Sequence, residues 1–349
     1  MMDLRPEDRP HLTFACELPV GELQALFDAP PLLDTLVDLR ATVALGILDL
    51  TPERAEVVRQ LNGAGVPVVA WQLLPEEAGY WFNVDNAPRA VARYGDFVAW
   101  TRAHELVWAG VGLDIETDIR DLGRLLAGDW KVLLEMGRRA LDAGRLWRAR
   151  AIYRNLVEQI RADGYPVEGY HFPIIVDERQ AGSTLLQRLL GLVDIPVDRE
   201  VLMLYTSFAG DWGPGMVWSY GPQADAIGVG STGGGVELEG VAPSPPLTWE
   251  ALGRDLRLAR AWTDEVFIFS LEGCVRQGYL ERLRDFDWQV KESPPRKAAR
   301  KVKWVRRALR ALLWAGARPG LLIAVFLALV AGSLFLRRLR RDGEPEGDR

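Results

Sequence analysis

Hydrophobic residues in the first 290 positions fall into short β-rich runs that alternate with longer amphipathic stretches. Such alternation is typical of βα units, in which each strand of a parallel sheet is followed by a helix. The pattern predicts eight strands, over residues 11–18, 43–48, 66–73, 107–115, 167–174, 201–207, 226–230 and 266–271.

Several boundaries between these strands are marked by the sequence. Thr51 followed by Pro52 predicts a capped helix start, and Asn62 followed by Gly63 predicts the end of the same helix. Residues 125–163 form a helical region that is long enough for two helices. The glycines at 233–235 and the proline-rich residues 243–246 predict a long loop after the seventh strand.

Eight βα units can close into a barrel or form an open doubly wound sheet. The first strand lacks the GxGxxG turn with which doubly wound folds bind a dinucleotide. The sequence therefore predicts an α/β fold of the (β/α)8 TIM-barrel type over residues 1–290. In such a barrel the active site lies at the carboxyl ends of the strands.

Residues 320–336 form an uncharged apolar run of 17 residues, with arginines on both sides. A run of this length can cross a hydrocarbon core of about 30 Å, and it predicts one transmembrane helix. The alternative, a buried helix of the globular body, would have to accommodate those arginines. Apolar residues at spacings of three and four predict that residues 291–319 are a basic amphipathic juxtamembrane segment, with Trp304 and Trp314 at headgroup depth. Residues 337–349 are predicted to be a polar tail.

The net charge of -6 is distributed unevenly along the chain. Residues 291–349 carry 15 Lys/Arg and 5 Asp/Glu, a net +10, which leaves -16 on residues 1–290. An acidic body argues against nucleic acid as a partner, whereas a basic tail beside an apolar run suits anionic lipid. The N-terminus has no secretory signal, and the positive-inside bias across residues 320–336 predicts that the barrel lies in the cytoplasm.

The two cysteines, Cys16 and Cys274, are predicted to be reduced thiols. One disulfide is the alternative, because the first and last strands of a closed barrel are neighbours. No CxxC motif and no Cys/His cluster indicates a zinc site, and we predict no metal or other cofactor.

Carboxylates predominate among the polar residues at the predicted strand ends. Asp114 and Glu116 alternate along the fourth strand, so both side chains are predicted to face the open end of the barrel. Two carboxyl groups this close do not both ionise freely, and one pKa rises as a general acid requires. The other strand-end candidates are Glu17, Asp49, Trp71, Gln72, His171, Tyr205, Ser231 and Glu272.

Residues 108–116, WAGVGLDIE, resemble the fourth-strand signature DGxDxDxE of chitinase-like family 18 glycoside hydrolases at Asp114 and Glu116. Met203 and Tyr205 are similar to that family's MxYD, and residues 267–272 resemble its closing strand. A second resemblance, to the DxE of family 25 lysozyme-like barrels, needs only Asp114 and Glu116. Both resemblances imply a TIM barrel that cleaves glycosidic bonds.

The family 18 resemblance implies a role for three of these residues. Glu116 protonates the glycosidic oxygen, Asp114 orients a substrate N-acetyl group, and Tyr205 hydrogen-bonds to the same group, while the substrate supplies the nucleophile. The sequence departs from the family pattern where two earlier acids, an Asp and a Trp are expected, at Ala109, Gly112, Thr206 and Phe269.

Six further residues are predicted to bind the saccharide because they lie at or just beyond strand ends: Glu17, Trp71, His171, Met203, Trp212 and Glu272. Trp71 and Trp212 offer flat rings that stack on the apolar faces of sugars. For Glu17 and Glu272 the alternative is a structural ion pair, and for His171 it is packing within the barrel.

Two functions are consistent with this sequence. The first is a membrane-anchored glycosidase that acts by acid catalysis on a saccharide or glycolipid containing N-acetylhexosamine. The second is a non-catalytic TIM barrel that binds a saccharide or a protein partner at the membrane, which the replaced acids at Ala109, Gly112 and Thr206 favour.

Overall fold

The computed structural model describes residues 9–29, 31–236 and 245–320. Eight parallel strands form a closed barrel in the order of the sequence, with the last strand paired to the first. The predicted (β/α)8 barrel is therefore confirmed. The strands are β1 His11–Cys16, β2 Thr42–Ile47, β3 Val68–Gln72, β4 Gly110–Asp114, β5 Val167–His171, β6 Arg199–Met203, β7 Ala226–Gly230 and β8 Glu265–Phe269.

Each predicted strand overlaps an observed one; several end a few residues earlier or begin later than predicted, whereas β2, β6 and β8 begin one or two residues earlier. β5 shows the reason: it ends at His171, and Pro173 lies directly before a helix that begins at Ile174. Proline lacks the N–H that a strand ladder needs, and its fixed φ is compatible with a helix start. Ile174, which the prediction included in the fifth strand, is therefore the first residue of the next helix.

Helices follow every strand and cover the outside of the barrel. They are α1 Val20–Phe27, α2 Leu32–Asp38, α3 Pro52–Gly63, α4 Ala87–Ala103, α5 Ile119–Leu126, α6 Trp130–Ala140, α7 Ala143–Ala162, α8 Ile174–Ala181, α9 Leu185–Leu190, α10 Gly213–Tyr220, α11 Trp249–Arg260, α12 Leu271–Arg276, α13 Tyr279–Arg284 and α14 Arg296–Gly316.

Two of the predicted helix features can be compared directly with these bounds. Thr51 caps α3, where its hydroxyl oxygen accepts a hydrogen bond from the N–H of Arg54 at 3.3 Å. The region predicted to contain two helices, residues 125–163, contains α6 and α7, and α5 precedes them.

The amino-terminal end of the barrel interior is closed by an ion-pair cluster. Nη1 of Arg199 lies 3.1 Å from Oε1 of Glu168 and 3.3 Å from Oε2 of Glu265. The hydroxyl of Tyr170 donates to the other oxygen of Glu168 at 3.1 Å. Carboxylates at this end thus have a cationic partner, which distinguishes them from those at the carboxyl end.

The basic segment predicted over residues 291–319 contains α14, which packs against the outside of the barrel rather than lying apart from it. Ala299, Val302, Arg306 and Leu313 are buried in this contact. The boundary predicted at residue 290 therefore does not separate this helix from the barrel.

The predicted transmembrane run, residues 320–336, lies outside the described residues apart from Gly320. None of the helices in residues 9–29, 31–236 and 245–320 combines the length and the apolar composition needed to cross a bilayer.

Candidate active site

Four carboxylic acids lie at the carboxyl end of the barrel, which we call the mouth. Glu17 follows β1, Asp114 ends β4, Glu116 comes two residues later, and Glu272 lies in the first turn of α12 after β8. None of the four is more than 9% exposed. Glu17 interacts electrostatically with each of the other three, so the four groups form one cluster.

Asp114 and Glu116 project to the same side of β4, as their alternation predicts. The indole N–H of Trp71 donates to Oδ2 of Asp114 at 3.0 Å, while Oδ1 receives no donor N–H or hydroxyl from the described residues. Burial raises the pKa of Asp114, and the neighbouring Glu116 raises it further. Oδ1 is therefore available to accept a hydrogen bond from Glu116 or from a ligand.

Glu116 is the second carboxyl group of the pair, and its pKa is raised as well. Burial, followed by the charge of Glu17, raises its pKa to about 8, although a hydrogen bond with Asp114 acts in the opposite direction. A carboxyl group with this pKa is mostly protonated at pH 7, so it can donate a proton to a leaving group.

Glu17 is held by a tyrosine that the sequence did not single out. The hydroxyl of Tyr80 donates to Oε1 of Glu17 at 2.5 Å. Burial raises the pKa of Glu17 to about 8, with smaller contributions from Glu272 and Asp114. The only sequence signal for Tyr80 is its place in an aromatic run with Trp81 and Phe82, after the third strand.

Glu272 lies beneath the glycine loop that follows β7. Its carboxyl oxygens receive no hydrogen bond of good geometry from the described residues, and burial raises its pKa. A Cβ added to Gly234 would contact Oε1 of Glu272 and would lie 2.7 Å from Oγ of Ser270. Since Gly234 also has a φ of +90°, only glycine allows the loop this close to the carboxyl group.

Tyr205 and Met203 lie on the inward side of β6 and of the residues that follow it. The ring of Tyr205 packs against Phe269, with 5.5 Å between the centroids. Burial, with the charges of Asp114 and Glu116, raises the pKa of Tyr205, so its hydroxyl keeps its proton. Met203 is 7% exposed and packs with the inward-facing residues.

The structure explains two of the departures from the family 18 pattern. A Cβ at Gly112 would lie 2.8 Å from Cζ of Tyr170, so the tyrosine ring fills the space that a side chain at position 112 would need. The hydroxyl of Thr206 donates to Oδ2 of Asp255 on α11 and so turns away from the mouth. Neither position contributes a polar group to the mouth.

His171 and Trp212, both predicted to bind the saccharide, do not lie with the carboxylates. His171 follows the inward Tyr170 on β5 and therefore faces outward, where its Nδ1 lies 2.9 Å from Oε1 of Glu200. It is 1% exposed. Trp212 lies on the rim of the mouth, is 44% exposed, and faces Lys301 of α14.

The remaining strand-end candidates also separate from the cluster. Asp49 forms an ion pair at 2.8 Å with the fully buried Arg54. Gln72 follows the inward Trp71, so it points to the outside of the barrel. Ser231 lies under the glycine loop, where its hydroxyl accepts from the N–H of Gly233 at 3.0 Å.

Cys16 and Cys274 are both buried and both free thiols. Within the described parts of the chain, no group of His, Cys and carboxylate side chains has an arrangement that could hold a metal ion.

Comparisons with known proteins do not assign this chain to a family. No family model matches the sequence, and no curated protein matches it. A solved structure of D-psicose 3-epimerase with D-tagatose, from Clostridium cellulolyticum H10, is similar with a TM-score of 0.36 and 11% identity, over 86% of this chain and 99% of that one. ScGas2 in complex with compound 8 is similar with a TM-score of 0.36 and 13% identity, over 74% of this chain and 55% of that one. The present chain thus spans about half of ScGas2, and the family 18 resemblance rests on the motif residues alone.

Proposed function

We propose that this protein is a glycoside hydrolase that acts on a saccharide containing N-acetylhexosamine. The observation that carries the proposal is the buried pair Asp114 and Glu116 at the carboxyl end of β4, in which the pKa of Glu116 is raised to about 8. Acid-catalysed cleavage of a glycosidic bond needs a carboxylic acid that is still protonated at working pH.

The proposed mechanism uses the substrate acetamide as nucleophile. The proton of Glu116 moves to the glycosidic oxygen, the bond from that oxygen to the anomeric carbon breaks, and the acetamide oxygen bonds to the same carbon. Oδ1 of Asp114 accepts the acetamide N–H, and the hydroxyl of Tyr205 donates to the acetamide oxygen. Water then bonds to the anomeric carbon, gives its proton to Glu116, and restores the acetamide.

The other mouth residues are proposed to bind the sugar. Trp71 holds Asp114 in place and presents an aromatic surface inside the barrel, close to Tyr170 and Phe269 at centroid distances of 6.0 and 6.3 Å. Such rings pack against the apolar faces of sugars. Glu17 offers a protonated carboxyl group and Glu272 a further buried carboxyl group, and both can hydrogen-bond to sugar hydroxyls.

The first experiment measures hydrolysis of chromogenic N-acetylglucosaminide and chitobioside substrates by the full chain, with Glu116→Gln as the test variant. We expect Glu116→Gln to lower kcat by about 10²–10⁴-fold, because proton donation to the leaving oxygen is lost. Activity of the wild type should fall as the pH rises through about 8, where Glu116 loses its proton.

Glu56→Gln is the matched control, since Glu56 is an exposed glutamate on α3, outside the barrel. It should leave kcat unchanged. If Glu116→Gln hydrolysed the substrates as fast as the wild type, the assignment of the acid would be wrong.

A second candidate function is saccharide binding without hydrolysis. It is favoured by Gly112, whose side of the barrel is filled by Tyr170, and by Thr206, which is bonded to Asp255. The same experiment separates the two functions. Saccharide binding by the wild type with no product would favour the non-catalytic barrel, and any product that depends on Glu116 would exclude it.

We also propose that residues 320–336 anchor the protein in a membrane, with the barrel on the cytoplasmic side. The support comes from the sequence: an uncharged run of 17 residues, preceded by nine Lys/Arg between positions 296 and 318 and followed by four between 337 and 341. A saccharide on a lipid in the inner leaflet is the substrate that fits this location.

A further inference from the structure

α14 has two different faces along its length. Its buried residues, Ala299, Val302, Arg306 and Leu313, lie against the barrel. The opposite side, which we call the outer face, carries residues at spacings of three and four: Lys297, Lys301, Trp304, Ala308 and Leu312. Trp304 is 71% exposed and Leu312 is 72% exposed. Large apolar side chains thus project into solvent on the same face as two lysines.

The helix is fixed to the barrel by a buried arginine. Nε of Arg306 lies 3.0 Å from Oδ1 of Asp177 on α8, and its guanidinium stacks on Tyr220 of α10 at 3.7 Å from the ring centroid. Nη2 of Arg306 also donates to the side chain of Gln223 at 3.0 Å. Because a buried charge without its partner is costly, α14 keeps its position relative to the barrel.

The amino-terminal half of α14 lies beside the mouth. A Cβ at Gly215, in the first turn of α10, would lie 2.8 Å from Cβ of Ala298. Nζ of Lys301 lies 5.7 Å from the centre of the Trp212 ring. Trp212 and Phe208 follow β6 and form an aromatic rim on the mouth, with exposures of 44% and 66%. The outer face of α14 and this aromatic rim are therefore neighbouring surfaces.

We propose that the outer face of α14 and the aromatic rim dock together on an anionic lipid bilayer, so that the mouth opens at headgroup level. Charge complementarity identifies the occupant, since residues 293–318 carry nine Lys/Arg and no Asp/Glu. Exposed Trp and Leu side chains on a helix rich in Lys and Arg are typical of helices that lie in a bilayer interface. Three residues separate the end of this helix from the apolar run that begins at Gly320.

This orientation specifies the substrate class of the mouth as a saccharide attached to a lipid. That part rests on the proposed function, whereas the docking itself does not. A mouth at the headgroup level is close to sugars attached to lipids at the bilayer surface. Docking on the bilayer brings it no closer to a polymer in free solution.

The test uses the full chain reconstituted in bilayers and a polarity-sensitive fluorophore on a single introduced cysteine. Cys16 and Cys274 are fully buried, so they do not compete for the label. Trp304→Cys reports on the outer face of α14, and Phe208→Cys reports on the aromatic rim. Glu56→Cys is the control, because α3 follows β2, which lies opposite β6 in the eight-stranded order.

In bilayers of phosphatidylcholine with phosphatidylglycerol, we expect blue-shifted and several-fold brighter emission at positions 304 and 208, and water-like emission at position 56. The shift should be smaller in phosphatidylcholine alone. Replacing Lys297 and Lys301 with glutamate should abolish it, since both side chains lie on the outer face.

Water-like emission at position 304 in the anionic bilayers would overturn the proposal. A shift at position 304 with none at position 208 would also overturn it, because the mouth would then face away from the lipid. The fluorescence measurement does not depend on catalysis. Blue-shifted emission from a protein that does not hydrolyse the substrates would therefore contradict the proposed glycosidase activity and support the proposed docking.

Discussion

The proton on Glu17 links its chemistry to the stability of the fold. The pKa of this residue is about 8 in the folded protein, against an ordinary value of 4.5. Between these values the folded state retains a proton that the unfolded chain has released. The free energy of unfolding therefore falls as the pH rises from about 4.5 to about 8, and Glu116 acts in the same direction.

Replacing Glu17 with glutamine should remove part of this dependence on pH. Between about pH 5 and about pH 9, the free energy of unfolding should fall by about 2–5 kcal/mol less in Glu17→Gln than in the wild type. This range follows because one pKa unit corresponds to about 1.4 kcal/mol. The glutamine oxygen can still accept from Tyr80. Urea unfolding at several pH values measures the effect, with Glu56→Gln as an exposed control; parallel curves for Glu17→Gln and wild type would contradict it.

The residues of the mouth differ in how far the sequence could identify them. Asp114 and Glu116 were predictable because strand alternation fixes their direction relative to each other. His171 was placed in the wrong part of the barrel because a side chain one position further along a strand points to the opposite face. Tyr80 reaches Glu17 only through the path of the loop after β3, and no local pattern encodes that path.

Between elements, the contact of β4 with β5 depends on a missing side chain. Gly112 on β4 leaves room for the ring of Tyr170 on β5. We expect Gly112→Ala to destabilise the protein by about 1–3 kcal/mol, as overpacking does in cores. Gly123→Ala on α5, where an added Cβ meets nothing within 4 Å, is the matched control and should be neutral or stabilising by up to about 1 kcal/mol.

A double-mutant cycle in urea unfolding identifies the cause. Gly112→Ala should cost less in a Tyr170→Leu background, because the ring that the new methyl group meets is gone. An equal cost in both backgrounds would mean that the ring does not set the requirement for glycine.

α14 shows how much of an element the sequence encodes. Its helical period was predictable, and so was its amphipathic character. The face that packs against the barrel was not predictable, because it includes the charged Arg306. The partner of Arg306 is Asp177, which is distant in the sequence. Hydrophobic periodicity alone assigns a charged residue to solvent, and only the folded chain supplies the partner.

For the whole molecule, the order of eight βα units was enough to predict the barrel, since each unit carries its own local pattern. The location of the barrel relative to a membrane is a proposal that needs its own experiment. In sealed right-side-out vesicles, we expect the barrel to resist added protease until detergent opens the vesicles. In inside-out vesicles it should be digested without detergent. Digestion in intact right-side-out vesicles would place the barrel outside.

The ion-pair cluster of Arg199, Glu168 and Glu265 occupies one end of the barrel interior, so the two ends of the barrel are not equivalent. Because Tyr170 and these charged groups fill the amino-terminal end, nothing can pass through the barrel along its axis. Whatever enters through the mouth must leave through it. In the proposed glycosidase, the product must therefore leave the mouth before the next substrate can bind there.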